Sequence, residues 1–326
     1  MNLRFLSSIL FFSLVLVPAQ AATHAPASTA VSGKDLLAAG RVDEAIDSLE
    51  QQTQRSPSDA ESHNLLCRAY YMIEEWDRGI AACERARSLD PSNSLYHLWL
   101  GRVYGEKASH AGFISAAGLA KKVRISFERS VELDPKNWEA RSDLAEFYIE
   151  APAVVGGGKD KARQQADALM PLHPATAYWV LARIDEKEKD AAGAERDYRV
   201  AIETSHGAAQ AWLRLAQFLA RANRLDEMNQ ALRTMDSSPL DRPDSLMDGA
   251  SLLLRTSRDN PLAVRLLRRY LSAPVEEGPA FKAHEVLGRL FEKQGDRRAA
   301  AEEYRAALTL SHTYTRARED LKRVEH

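Results

Sequence analysis

Few side chains in this chain are spaced to carry chemistry, and the nearest approach is Ala153-Val-Val-Gly-Gly-Gly158-Lys159-Asp160. A phosphate loop needs glycines whose amides cradle the phosphate, a lysine for the terminal phosphates, and a Ser or Thr hydroxyl for Mg²⁺. Here Ala153 replaces the first glycine, Asp160 replaces the hydroxyl residue, and no strand pattern precedes the turn. Glycines closing a turn before a helix account for the stretch. Weak nucleotide or anion binding by exposed amides at Gly156–Gly158 is the remaining chemical reading. His63, His97, His173, His206, His284 and His312 are scattered, with no H-E-x-x-H and no G-x-S-x-G elbow among them. Paired carboxylates such as Glu74-Glu75 and Glu302-Glu303 fall on predicted turns or solvent faces. The pattern implies neither an enzyme, nor a metal, nor a cofactor.

The first residues have a different character. Arg4 supplies a minimal positive region, Phe5 to Val17 an apolar core, and Pro18-Ala19-Gln20-Ala21 a small-residue ending. This reads as a secretory signal over 1–21, cleaved after Ala21. The apolar core falls short of the roughly 18 residues that a membrane anchor requires, so no membrane insertion is expected after cleavage. Residues 22–31 are small and polar and read as a flexible leader, and 32–326 as the folded domain. Export implies an oxidising space where cysteines can pair, periplasmic first and secreted as the alternative. There are two cysteines, Cys67 and Cys83, one on each helix of a predicted hairpin. They read either as a disulfide that closes a short loop and stabilises by about 3 kcal/mol, or as two small residues filling a tight crossing.

Hydrophobic residues make up 45% of the chain and charged ones 28%, which is soluble globular composition. The net charge of −2 is spread without blocks, so no concentrated basic face offers itself to nucleic acid. The stretch from Ala60 to Pro91 shows how the rest is organised. Leu66, Tyr70 and Ile73 mark one apolar stripe at helical spacing, and Ile80, Cys83, Ala86 and Leu89 a second. Glu74-Glu75-Trp76-Asp77 turns between them, and Pro91 ends the second helix. Such a hairpin cannot bury both stripes alone. Pro57 and Pro91 lie 34 residues apart, and the same scheme recurs in SLYHLWLGRVYGEKA and in HEVLGRLFEKQGDRRAAAEEYRAALTLSH. Leu100-Gly101, Tyr104, Leu287-Gly288, Ala300, Tyr304 and Ala307 fall at matching places.

These residues resemble the tetratricopeptide repeat, whose signature is an aromatic, Leu-Gly and Tyr in the first helix, then Ala, Phe/Tyr, Ala and Pro in the second. The resemblance implies an all-α, right-handed α-solenoid of stacked helix-turn-helix units. Eight fit: Pro26–Asp59, Ala60–Asn93, Ser94–Asn137, Trp138–Pro174, Ala175–His206, Ala209–Pro239, Asp241–Pro279 and Phe281–His312. Thr313 to His326 follows as a capping helix. Small residues let the helices cross closely, with Tyr104, Phe127, Tyr198 and Tyr304 filling the gaps, so Ala86→Trp should overpack by about 1–3 kcal/mol. In the sixth and seventh units Met228 and Val264 stand where a small residue is expected. The third and fourth units carry extra residues around 105–122 and 151–160, read as enlarged turns on one edge that pack on each other.

The resemblance also implies a concave face lined by first helices, used to bind a protein or peptide. Arg68, Arg102, Arg183 and Arg289, with Gln217, follow the close-packing residue of their units, and guanidinium groups there can grip carboxylates bidentately. The plainer reading is that arginine is a good solvated helix former. Tyr71 and Trp179 add stacking surface. A structural or assembly factor of a bacterial envelope complex is the rival function.

Overall fold

The computed structural model describes residues 31–272 and 279–326. The signal segment 1–21 and all but Val31 of the leader 22–31 lie outside the described residues. Ser32–His326 forms one compact unit, with seventeen α-helices and one 3-10 turn among the described residues. The helices pair in order as hairpins. The first four pairs are α1 (Gly33–Ala38) with α2 (Val42–Arg55), α3 (Ala60–Met72) with α4 (Trp76–Leu89), α5 (Ser94–Ser109) with α6 (Phe113–Leu133), and α7 (Trp138–Glu150) with α8 (Lys159–Leu169). The next four are α9 (Pro174–Glu188) with α10 (Ala191–Thr204), α11 (Ala209–Arg221) with α12 (Leu225–Asp236), α13 (Asp244–Thr256) with α14 (Asn260–Leu271), and α15 (Ala280–Lys293) with α16 (Arg297–Leu310). A last helix, α17 (Thr315–Glu325), stands alone.

Local chemistry sets the starts of the first helices. Asp59, Asn93, Asn137 and His173 each precede one, and each side chain accepts a backbone N–H of the first turn. That satisfies one of the four orphan donors at a helix start. The fourth residue of most second helices is small and buried: Ala45, Gly79, Ala162, Ala194, Ala263 and Ala300. Met228 occupies that place in α12 and is fully buried. In α14 the small residue is Ala263, so Val264 does not hold the position: it lies one step round the helix and is only half-buried. The seven-residue connection from Ser237 to Pro243 breaks the regular count ahead of it.

The crossings show why small residues are needed. A Cβ at Gly101 would stand 2.4 Å from a Phe127 ring carbon, and one at Gly288 would stand 2.4 Å from Tyr304. Cys67 and Cys83 hold the equivalent pair of places on α3 and α4. Their Cα atoms are 5.2 Å apart and the sulfurs are joined, within the span a disulfide requires.

Adjacent hairpins are pinned by a repeated polar bond. The hydroxyl of Tyr104 donates to Glu84 (2.5 Å) and that of Tyr148 to Glu128 (2.8 Å), each carboxylate belonging to the preceding hairpin. Tyr70 makes the same bond to Glu50. Tyr198 and Tyr304 instead bond within their hairpins, to Glu186 (2.6 Å) and Glu292 (2.9 Å). The cap is held in the same currency: Arg323 of α17 donates two 2.8 Å bonds to Glu292, and Val324 covers Ala300 and Tyr304.

The extra residues of the third unit are helical and do not form a loop. They lengthen α5 to Ser109 and start α6 at Phe113, leaving three residues as the turn. In the fourth unit they do form a turn, with a 3-10 helix over Ala153–Val155. The two meet where the side chain of Arg124 lies against Gly156. Phe113, Ile114 and Val154 remain exposed, at 91%, 88% and 91%, so the apolar residues do not cover one another.

Finally, the first two hairpins meet the last one and the turn that follows it. Lys282 of α15 bonds Glu74 in the α3–α4 turn at 2.6 Å, the His312 amide donates to Asp43, and Gly40 lies against Ala280. These contacts bring the two ends of the helical stack together.

Candidate functional site

First helices of successive hairpins touch one another (α3 with α5, α7 with α9, α11 with α13, α13 with α15), so they line the inner wall. On that wall Trp99 of α5 gathers three of the sequence candidates. The guanidinium carbons of Arg68 and Arg102 lie 5.0 and 4.8 Å from its ring centre, and Tyr71 meets it edge-on at 5.7 Å. Such stacking on indole is favourable by about 0.5–2 kcal/mol. Arg102 also bonds Asp143 of the next hairpin at 2.7 Å. The Tyr71 hydroxyl faces Glu106 and is held protonated by burial and by that carboxylate. Arg183 is clamped by Glu150 (2.5 Å) and Glu186 (3.4 Å). Arg289 is exposed on α15 with Glu285 at 3.5 Å, and Gln217 is half-buried on α11. The candidates are thus dispersed: Arg68, Tyr71 and Arg102 form one cluster, and Arg289 lies five hairpins beyond Arg102 along the chain.

Trp179 leads to a place that the pattern of the sequence did not expose. The Arg214 guanidinium carbon sits 4.3 Å from its ring centre, and among the described residues its hydrogen-bond partner is the Thr176 hydroxyl at 3.5 Å. No carboxylate pairs with Arg214 among the described residues. Burial pushes its pKa down to about 10, with Glu146 opposing and the charge of Arg242 adding to the fall. Arg214 opens on a cavity of about 110 Å³ lined by Trp138, His173, Thr176, Gln210 and Arg242. Trp138 and His173 stack at 4.4 Å, making an aromatic wall. Burial, then Arg214, hold the His173 pKa below its usual value, so the ring is neutral at pH 7. Its Nδ1 accepts the Thr176 amide, which leaves the proton on Nε2. Arg242 has only a distant partner, Glu139 at 3.9 Å. The result is a small crevice with flat aromatic walls and two guanidinium groups, Arg214 and Arg242, against the one lining carboxylate of Asp241, which accepts the Gln210 amide. It could take one further carboxylate attached to an extended chain.

The glycine turn is explained by packing. A Cβ at Gly157 would come within 1.8 Å of the Ala151 carbonyl oxygen, Gly156 has φ +102°, and Lys161 donates to the Gly156 carbonyl. Among the described residues no group of three His, Cys, Asp or Glu side chains is placed to hold a metal ion, and no helix is long and apolar enough to cross a membrane.

The fold and this wall define an all-α repeat solenoid whose shaped product is an inner surface. Residues 36–103 and 249–323 each match a family model described as tetratricopeptide repeat, which supports that family for this chain. Among solved structures, yeast Tom70 is similar with a TM-score of 0.52 at 15% identity, over 87% of this chain and 58% of that one. That likeness concerns the fold alone. A tetratricopeptide repeat protein from Parabacteroides merdae aligns over 90% of this chain and 96% of its own, at 14% identity and a TM-score of 0.43. A thermophilic TPR protein in Thermus thermophilus aligns over 58% and 95%, at 18% and 0.48. No curated protein matches. Proteins built from these repeats generally act as non-catalytic scaffolds that bind protein partners.

Proposed function

We propose that this chain is an exported, non-catalytic scaffold that receives an extended segment of a protein partner on its inner wall. The observation that carries this reading is Arg214, a half-buried cation stacked on Trp179 that makes no ion pair among the described residues, with Glu146 and Asp241 in its field but not bonded to it. Arg102 and Arg183 on the same wall are already held by Asp143 and Glu150. A cation partly withdrawn from water is stabilised when a carboxylate comes within bonding distance to compensate it. An acidic side chain or a terminal carboxylate of the partner would do so. Arg68, Tyr71, Arg102, Trp179, Arg183, Gln217 and Arg289 would then form the track on either side. Export to the periplasm is part of the proposal and agrees with the signal-like start and the joined cysteines.

Crosslinking capture from envelope extract tests it. The wild-type chain is expected to retain a soluble client, and Arg214→Ala with Arg242→Ala to weaken the complex tenfold or more, about 1.4 kcal/mol. Unchanged capture by that variant removes the crevice from the interface. The rival reading, an assembly factor of an envelope complex, draws on the exposed Phe113, Ile114 and Val154 away from the inner wall. Co-fractionation with membrane complexes and no soluble client would favour it.

A further inference from the structure

The start of α6 projects an apolar tip that no other part of the described chain covers. Phe113 and Ile114 are 91% and 88% exposed, a combination well outside the ordinary scatter of single surface apolar residues. Successive turns along the same exposed face bring Ala117 and Gly118, then Lys121 and Lys122. With a rise of 1.5 Å per residue, the lysines stand about 12 Å behind the tip. No Asp or Glu occurs between Glu106 and Glu128. Lys121 makes no ion pair among the described residues, and Lys122 lies over the Tyr104 ring while staying exposed. The neighbouring turn on the same edge repeats the composition with exposed Val154 and with Lys161. The tip is held rigidly, because Trp76 stacks on His110 and Asp77 pairs with Lys107 at its base.

We infer that this edge docks on an anionic phospholipid surface, with Phe113 and Ile114 entering the headgroup–acyl boundary and the lysines meeting the phosphates. The geometry favours lipid over an acidic protein. Protein hot spots fill pockets, whereas a convex tip exposed on all sides suits a deformable medium. The 5–10 Å depth at which interfacial helices settle places Lys121 and Lys122 at headgroup level. Docking of this kind is peripheral and needs no crossing helix.

Vesicle co-sedimentation of the chain purified after export provides the test. Vesicles of phosphatidylglycerol and phosphatidylethanolamine should bind it, and phosphatidylcholine vesicles should bind at least tenfold less. Phe113→Ser with Ile114→Ser should weaken anionic-vesicle binding tenfold or more, as should Lys121→Glu with Lys122→Glu. Melting temperatures should be unchanged, because all four side chains are exposed. Absence of binding to anionic vesicles would overturn the inference, as would binding that both variants retain. So would a tip variant that loses a soluble protein partner while the wild type ignores vesicles.

Discussion

Cys67 faces Cys83 across the crossing of α3 and α4 with a Cα separation of 5.2 Å, at the two positions where α5 and α6 place Gly101 against Phe127. One crossing is thus closed by a covalent bond and the next by an aromatic ring over a glycine. The bond spans 16 residues, and a loop of that size is stabilising by about 3 kcal/mol. Thiol titration of the unfolded, unreduced chain should find no free thiol, and a reductant should lower the melting temperature. Two titratable thiols in protein produced in an oxidising compartment would exclude the bond.

The hydroxyl bonds of Tyr104 and Tyr148 bridge hairpins. Tyr104→Phe should cost about 1–2 kcal/mol, because a bond to a carboxylate is lost while Glu84 stays near water. Urea unfolding should show broadened cooperativity as well as a lower midpoint. Tyr304→Phe, which breaks a bond inside one hairpin, should lower the midpoint without that broadening.

Arg214 should reveal a trade between stability and binding. Replacing a half-buried cation that makes no ion pair among the described residues by an apolar side chain of similar length removes the desolvation cost it does carry. Arg214→Met is expected to keep or raise the melting temperature while weakening partner capture. A large fall in melting temperature would mean that the guanidinium is structural.

Asp248 of α13 reaches solvent, yet the protein around it, and then Asp244, push its pKa up to about 6 from an ordinary 3.8, an effect on stability that solvent screening keeps small. A raised folded-state pKa means that the native state holds the proton longer than the unfolded chain does. Stability attributable to this group therefore falls as pH rises from about 4 to about 6, and stays reduced above that. Asp248→Asn should melt higher than wild type at pH 7.5 and equally at pH 4. Equal melting at both values would contradict the shift.

The contact between the ends combines part-exposed ion pairs with the buried packing of Gly40 on Ala280, and the ion pairs by themselves should add little. Glu74→Lys with Asp43→Lys places like charges at Lys282 and beside His312, against pairs that contribute about 0–1 kcal/mol each. The radius of gyration in solution scattering should rise while the melting temperature barely moves. An unchanged radius would show that apolar contacts such as Gly40 on Ala280 suffice.

The helical hairpins were legible because each carries its own period: Leu100-Gly101 and Tyr104 announce a first helix without knowledge of any neighbour. The residues around 105–122 were misread as a turn because small residues such as Ala116, Ala117 and Gly118 look like a linker. In the chain they continue α6, which packs along α5. The inner crevice was not legible at all. Trp138, Thr176 and Arg214 come from three successive hairpins and Arg242 from the connection that follows them, and their meeting depends on how much each unit rotates on the last. No spacing within a single unit encodes that rotation. Arg102 illustrates the same limit, since its partner Asp143 belongs to the next unit.

The meeting of Glu74 with Lys282 has a kinetic consequence. Under the proposed function, a client lying along the inner wall would enter and leave more readily when these two ends part. Residence time would then follow the opening rate of two surface ion pairs, and added salt would speed exchange even for a client whose grip within the groove is insensitive to salt.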